Sequence, residues 1–239
     1  MLFPNGKRPD SAAIRALAKG SALFDLSLDP FLESGEAEGW VELLFNGLTF
    51  DLLDLAPGAG SELGPIVHSF DLPQGFVSQD YEAVTLRPGP HIAGGGMMFP
   101  VVRCMAQLSA ELTRLPDAAA VIWHPARASS GAEYFRRGVL RWLEGRVSPG
   151  LGLTALAACD DGTWNSEGLS LFTGQEVFLE AGVAPDSASA AKTALRLINW
   201  LVEHGGISVP VTFTSPEGQT FHLAPDEAGS VVRVSRDAR

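Results

Sequence analysis

The stretch that most constrains the fold is residues 162–182, GTWNSEGLSLFTGQEVFLEAG. Apolar and polar residues alternate along it as they do in β-strands. We predict one or two strands here, broken near Gly174, and expect that glycine to permit a bulge or the close approach of a helix. Glu176, beside it, is expected to accept hydrogen bonds from nearby backbone amides. The stretch therefore organises the second half of the chain.

The pair Asn46-Gly47 predicts a β-hairpin. It separates apolar runs at residues 40–45 and 48–55. A type I′ turn needs positive φ at both central residues, which asparagine and glycine adopt readily. Further strands are predicted at residues 22–28, 66–70, 83–87, 118–124, 151–159, 209–214, 220–223 and 230–235.

Four segments carry helical patterns. Apolar residues recur at spacings of four and three from Val101 to Leu115, which indicates an amphipathic helix with Pro100 in its first turn. The sequence SGAE at residues 130–133 resembles a capping box and is predicted to open a helix that ends at Gly145. The remaining two helices are capped by Asp10 or Ser11 and by Asp186 or Ser187, and they end at Gly20 and at Gly205-Gly206.

Strands outnumber helices in this pattern, and hairpins are frequent. We therefore predict a single α+β domain over residues 1–239, with mostly antiparallel sheet and three to four packed helices. Two halves, at about residues 20–147 and 148–239, both fit a β-β-α-β order. The sequence GLTFDL at 47–52 is echoed by GQTFHL at 218–223, so an internal duplication stands as an alternative to a chance echo.

Charge and composition exclude several function classes. The net charge of −11 disfavours nucleic acid as a partner, because phosphate binding rests on a basic surface, and it disfavours anionic lipid as well. No uncharged apolar run approaches the ~18–20 residues of a membrane span, and we expect neither a membrane segment nor a signal peptide. The two cysteines, Cys104 and Cys159, do not suggest a disulfide framework, and both are expected to pack in the core. A cytoplasmic location is the resulting expectation.

Short motifs add little chemistry. The loop Gly94-Gly95-Gly96 before a helix lacks the lysine and hydroxyl of a phosphate-binding loop. Residues 150–155, GLGLTA, match a dinucleotide fingerprint in letters but precede a strand pattern instead of a helix. We therefore predict no catalytic residue, no cofactor and no metal site from motifs alone.

One enzyme hypothesis remains open. His124 ends a strand predicted to be central, and Asp160, Asp161 and Glu176 converge on it if the strands pair favourably. Together with Glu167 and Glu180, these carboxylates are the oxygen ligands that hard cations prefer. A hydrolase or a metal-dependent enzyme is thus the alternative reading, and a pocket that joins His124 to two or more of these carboxylates would favour it.

Residues 151–235 resemble a bacterial family catalogued as domain of unknown function 4261. The resemblance rests on Gly168, Leu169, Phe172, Gly174 and Glu176, on the long helix after them, and on a hairpin whose turn reads SPEG at residues 215–218. Thr173 stands between the phenylalanine and the glycine that adjoin in the family. The family has no assigned activity, so the resemblance implies nothing about chemistry.

The leading functional hypothesis is binding without catalysis. An acidic surface on a cytoplasmic protein suits an accessory or immunity-type role in which a protein partner is bound. Either a monomer or a homodimer is compatible with the sequence.

Overall fold

The computed structural model describes residues 1–35, 38–145 and 150–236. The helices are Ser11–Ser21 (α1), Pro30–Ser34 (α2), Phe99–Leu112 (α3), Ala132–Leu143 (α4), Gly150–Leu153 (α5), Ser170–Thr173 (α6) and Ser187–His204 (α7). Four of these, α1, α3, α4 and α7, have eleven or more residues.

The strands form three sheets in the described part of the chain. The first sheet contains Leu2–Pro4 (β1), His68–Phe70 (β5), Tyr81–Ala83 (β6), Ala120–Trp123 (β8) and Ala128–Gly131 (β9), in the order β5-β9-β8-β1-β6. The second contains Asp25–Leu28 (β2), Val41–Phe45 (β3), Leu48–Leu53 (β4) and Thr85–Pro88 (β7), in the order β2-β3-β4-β7. The third contains Ala155–Ala158 (β10), Trp164–Glu167 (β11), Glu176–Leu179 (β12), Val211–Thr214 (β13), Thr220–Pro225 (β14) and Val231–Arg236 (β15), in the order β10-β11-β12-β15-β14-β13.

These sheets confirm the predicted α+β class. Neighbouring strands pair antiparallel except for β5 with β9 and β12 with β15. The internal duplication stays a prediction, as does the single domain, and the proposed boundary between the halves at 147–148 lies outside the described residues. Among those residues, no helix has both the length and the apolar character needed to cross a membrane.

Helix α3 is buried on two faces. Val101, Leu108 and Leu112 pack into a core with β3, β4 and α1. Val102, Ala106 and Ala110 pack into a second core with β8 and α4. The sequence predicted the first face from its leucines. The second face was missed because its residues are mostly alanines, which contribute little to a hydrophobic pattern yet let α4 approach closely.

The predicted strand at residues 83–87 is in fact two strands in different sheets. β6 ends at Ala83 and pairs with β1, whereas β7 begins at Thr85 and pairs with β4. Val84, between them, is fully buried in the first core. The chain thus passes from the first sheet to the second within one residue, which a continuous apolar pattern does not reveal.

Local turn and cap signals are mostly confirmed. Asn46 and Gly47 have φ of 51° and 76°, as the predicted hairpin requires. Asp10 and Asp186 cap α1 and α7 by accepting hydrogen bonds from backbone amides three residues on, both at 2.8 Å.

The predicted capping box at residues 130–133 is wrong. Ser130 is buried in β9 opposite Val121 and caps nothing, because residues 128–131 pair with β8 before α4 begins. The predicted strand at 151–159 is also shorter than expected, since Gly152 has φ of 103° and the strand β10 starts only at Ala155.

Residues 162–182 form β11, the helical turn α6 and β12. Gly174 ends α6 with φ of 79°, and a Cβ there would meet no atom within 4 Å, so the expected bulge or close approach at Gly174 is wrong. The close approach occurs at Gly168, where a Cβ would lie 2.9–3.0 Å from atoms of Ala126. Glu176 behaves as predicted. It accepts hydrogen bonds from the amides of Leu169 and Ser170 at the start of α6.

The two glycines give a matched stability test. Both have φ near 80°, so alanine at either position adopts a left-handed conformation that costs about 1–2 kcal/mol. Only at Gly168 does the new methyl also meet backbone, which adds about 1–3 kcal/mol of overpacking. We therefore expect Gly168→Ala to lower the free energy of unfolding in urea clearly more than Gly174→Ala. Equal losses would show that residue 168 is not closely packed.

Candidate functional site

His124 lies just after β8 and borders a cavity of about 250 Å³ between the first and second sheets. The residue is exposed overall. Partial burial, with a smaller contribution from the N-terminal amine of Met1, lowers the pKa of His124 below its ordinary value and favours the neutral imidazole at neutral pH. A Cβ on Gly64 would lie 2.8 Å from the Cε1 atom of His124, so this glycine packs directly on the ring.

The carboxylates of the enzyme hypothesis do not line this cavity. Asp160 and Asp161 form the turn between β10 and β11. They lie beside Trp164, the N-terminal residue of β11. Glu176 lies near the other end of β11, where it also accepts a hydrogen bond from Ser166 Oγ at 2.5 Å. The structure therefore does not assemble His124 with these three residues. Among the described residues, no group of three or more histidine, cysteine or acidic side chains is placed to hold a metal ion.

Four carboxylates instead gather at one end of the third sheet. Glu180 and Asp186 line a groove of about 220 Å³, together with Cys159, Trp164 and the start of α7. Asp160 and Asp161 belong to the turn between Cys159 and Gly162, both of which line the groove. We call this site the acidic groove. Cys159 is exposed there, so its predicted place in the core is wrong.

Two carboxylates of the acidic groove, Asp161 and Asp186, are held in the ionised form by hydrogen bonds. Hydrogen bonds from the hydroxyl and the amide of Thr163 hold the pKa of Asp161 below its ordinary value. The amide and hydroxyl of Ser189 do the same for Asp186. Asp160 and Glu180 are exposed. In the described part of the chain, none of the four forms a salt bridge with lysine, arginine or histidine.

A second polar cluster fastens the third sheet to the first. Glu167 Oε2 lies 2.9 Å from His68 Nε2, and Glu167 Oε1 accepts a hydrogen bond from Arg127. The backbone carbonyl of Arg127 also accepts hydrogen bonds from the amides of Val67 and His68, at 2.8 and 3.1 Å. We call these three side chains, His68, Arg127 and Glu167, the clasp. Because the amide of Arg127 donates to the carbonyl of His124 at 3.0 Å, the clasp also holds the His124 turn.

The clasp was not predicted from the sequence. Glu167 was grouped with the other carboxylates of the third sheet, and His68 was not singled out. The two residues are 99 positions apart, and no local pattern connects them. Only the parallel pairing of β5 with β9 brings His68 beside Arg127.

Comparisons with known proteins give no match for this chain among family models, curated proteins or solved structures.

Removing the charge of Glu167 tests the clasp. We expect Glu167→Gln to lower the free energy of unfolding by about 1 kcal/mol, because the largely buried His68 loses a charged partner, while the exposed Arg127 adds little. The control is Glu133→Gln, which weakens an exposed pair with Arg136 one turn along α4, where solvent screens the interaction. Urea unfolding should show the larger loss for Glu167→Gln, and a larger loss for the control would contradict the role of the clasp.

The clasp also predicts a pH dependence. Partial burial raises the pKa of Glu167, but hydrogen bonds from Arg127 and His68 outweigh it and hold the pKa below the ordinary value of 4.5. A carboxylate with a lowered folded pKa stabilises fully above its unfolded pKa, and this contribution is lost as the pH falls through the folded pKa. The stability difference between wild type and Glu167→Gln should therefore be constant at neutral pH and shrink below about pH 4. A difference that is unchanged at about pH 3 would contradict the assignment.

Proposed function

We propose that this chain is a bacterial cytoplasmic protein that binds a basic protein partner through the acidic groove and acts without catalysis. The observation that carries the proposal is that two carboxylates, Glu180 and Asp186, line one groove, that two more, Asp160 and Asp161, lie in the turn beside it, and that none of the four has an ion-pair partner among the described residues. Such a site attracts lysine and arginine side chains and steers their approach. Trp164, which lines the groove, adds an aromatic face on which a cation can rest.

Several acidic side chains elsewhere are paired with arginine, as in Asp29–Arg15, Asp51–Arg87, Glu82–Arg8, Glu111–Arg114, Glu167–Arg127 and Glu217–Arg196. Part of the net charge of −11 is therefore left uncompensated at the acidic groove. An accessory or immunity-type role, in which a basic partner is neutralised, follows from a surface of this kind.

The alternative of a hydrolase or metal-dependent enzyme has less support. It requires His124 to share a cleft with Asp160, Asp161 or Glu176. Glu176 is held by Ser166 and by two amides at the start of α6, which leaves little of its accepting capacity for a substrate or an ion.

We also propose, on the residues of the third sheet alone, that the chain belongs with the family of domain of unknown function 4261. Two of the matching residues have defined structural roles that other members would share. Gly168 allows close packing on Ala126, and Glu176 caps α6. The proposal concerns ancestry and fold and adds no activity.

Charge reversal in the groove tests the proposed function. Labelled decalysine serves as the probe for a basic partner, and binding is followed by fluorescence anisotropy at low and at physiological salt. We expect the double variant Asp160→Lys/Glu180→Lys to bind about tenfold more weakly than wild type, since each lost surface pair contributes up to about 1 kcal/mol. Salt should weaken wild-type binding.

The matched control is Glu203→Lys/Glu227→Lys. It changes the net charge by the same amount, but Glu203 lies at the far end of α7 and Glu227 precedes β15, both away from the acidic groove. This variant should bind decalysine nearly as well as wild type. If both double variants weaken binding equally, the probe senses only net charge and the groove is not the binding site.

A further inference from the structure

The cavity beside His124 has an apolar interior. Leu63, Leu86, Met105 and Ile122 line it, and each of these side chains is only half-buried, so that part of its surface stays accessible. The cavity volume of about 250 Å³ has room for a molecule of about ten non-hydrogen atoms. An apolar group placed there is removed from water, which favours its binding.

Glu62 and His124 lie at the mouth of this cavity, because both line it and both are exposed to solvent. Gly64, two residues after Glu62, packs on the imidazole, since a Cβ there would lie 2.8 Å from Cε1 and 2.9 Å from Nδ1 of His124. The chain just before Glu62 is fixed as well, because the amide of Ser61 donates to the carbonyl of Ala83 at 3.2 Å. The two side chains are thus held beside each other where a ligand enters.

The groups around the mouth are acceptors without an unpaired cation in the described structure. Glu62 forms no salt bridge with any described residue. The lowered pKa of His124 favours a neutral ring, which has one accepting nitrogen. Arg87 is the only lysine or arginine in the lining, and it pairs with Asp51 at 3.3 Å. The amine of Met1 also lines the cavity, and burial lowers its pKa to about 5.

A ligand that combines a positive charge with an apolar body matches this arrangement. An ammonium group only donates hydrogen bonds, and a carboxylate and a neutral imidazole both accept them. At the exposed mouth the ammonium group stays partly hydrated, so the large cost of burying a charge does not arise. An anionic ligand would instead be repelled by Glu62.

We propose that the cavity between β8, α3 and residues 83–88 binds a small apolar amine, whose ammonium group pairs with Glu62 beside the ring of His124 and whose body lies against Leu86 and Met105. This site is separate from the acidic groove and does not depend on the function proposed there. The amine is bound without any covalent step.

Three probes that share a phenyl ring test the proposal. 2-Phenylethylamine carries the ammonium group, 2-phenylethanol carries a neutral hydroxyl on the same body, and phenylacetate is an anion. Each is titrated into the full chain labelled with ¹³C at the methionine methyl groups, and the Met105 signal, assigned by its loss in Met105→Leu, is followed by NMR. Met105 lines this cavity and not the acidic groove, so its signal reports binding here. We expect the amine to bind about fivefold more tightly than the alcohol, and phenylacetate not to move the signal below about 20 mM.

Two matched variants separate the ion pair from net charge. Glu62→Gln keeps the shape of the side chain and should reduce the affinity for the amine to that for the alcohol, with the affinity for the alcohol unchanged. Glu203→Gln removes an exposed carboxylate at the end of α7 and should keep the preference. Both positions are exposed, so neither variant disturbs the core.

A third variant tests the apolar interior. Ser109, which lines the cavity, is 6% exposed, and Ser109→Leu should fill the space and abolish binding of both the amine and the alcohol. If this variant does not fold, the comparison of Glu62→Gln with Glu203→Gln still decides. The proposal is overturned if the amine and the alcohol bind the wild type equally, if Glu62→Gln keeps the preference or Glu203→Gln loses it, or if the amine does not move the Met105 signal below about 10 mM.

Discussion

The burial of α3 on two faces is the constraint on which the rest of the structure depends. At 100° per residue, the face of Val101, Leu108 and Leu112 and the face of Val102, Ala106 and Ala110 are separated by a narrow strip of the helix surface. Met105 and Ser109 lie on that strip, and both line the cavity beside His124. The cavity is therefore the place where two cores meet along one helix without closing completely. Its walls belong to elements that are fixed by packing on either side.

Features that depend on neighbouring residues could be predicted from the sequence. The Asn46-Gly47 turn and the caps at Asp10 and Asp186 each satisfy a backbone requirement within three or four positions. The capping box at residues 130–133 failed for an equally physical reason. The same residues pair with β8, and a ladder of strand hydrogen bonds prevails over a cap that satisfies only one or two amides. Local signals are thus reliable where no sheet competes for the same backbone.

Neighbouring residues could not predict the clasp or the change of sheet at Val84. His68 and Glu167 meet because β5 pairs with β9 and the first sheet packs against the third. Neither contact is indicated by the sequence around the two residues. At Val84, one apolar run serves two sheets, and only the partners β1 and β4 show where it divides. The pairing of distant strands decides which polar groups become neighbours, so the site residues were harder to predict than the elements that carry them.

The carboxylates of the third sheet show how surroundings decide availability. Glu176 lies two residues after Gly174 in the stretch that organises the second half of the chain, and it was considered as a possible catalytic group for that reason. Its oxygens are instead occupied by Ser166 and by the first amides of α6. Asp160 and Glu180 belong to no recognised motif, yet they are exposed and have no ion-pair partner in the described structure. A carboxylate that stabilises a turn is less available to a ligand, because each hydrogen bond that it accepts occupies one of its accepting sites. Asp161 and Asp186 are engaged in the same way by Thr163 and Ser189, so Asp160 and Glu180 are the carboxylates of the acidic groove with the fewest internal contacts.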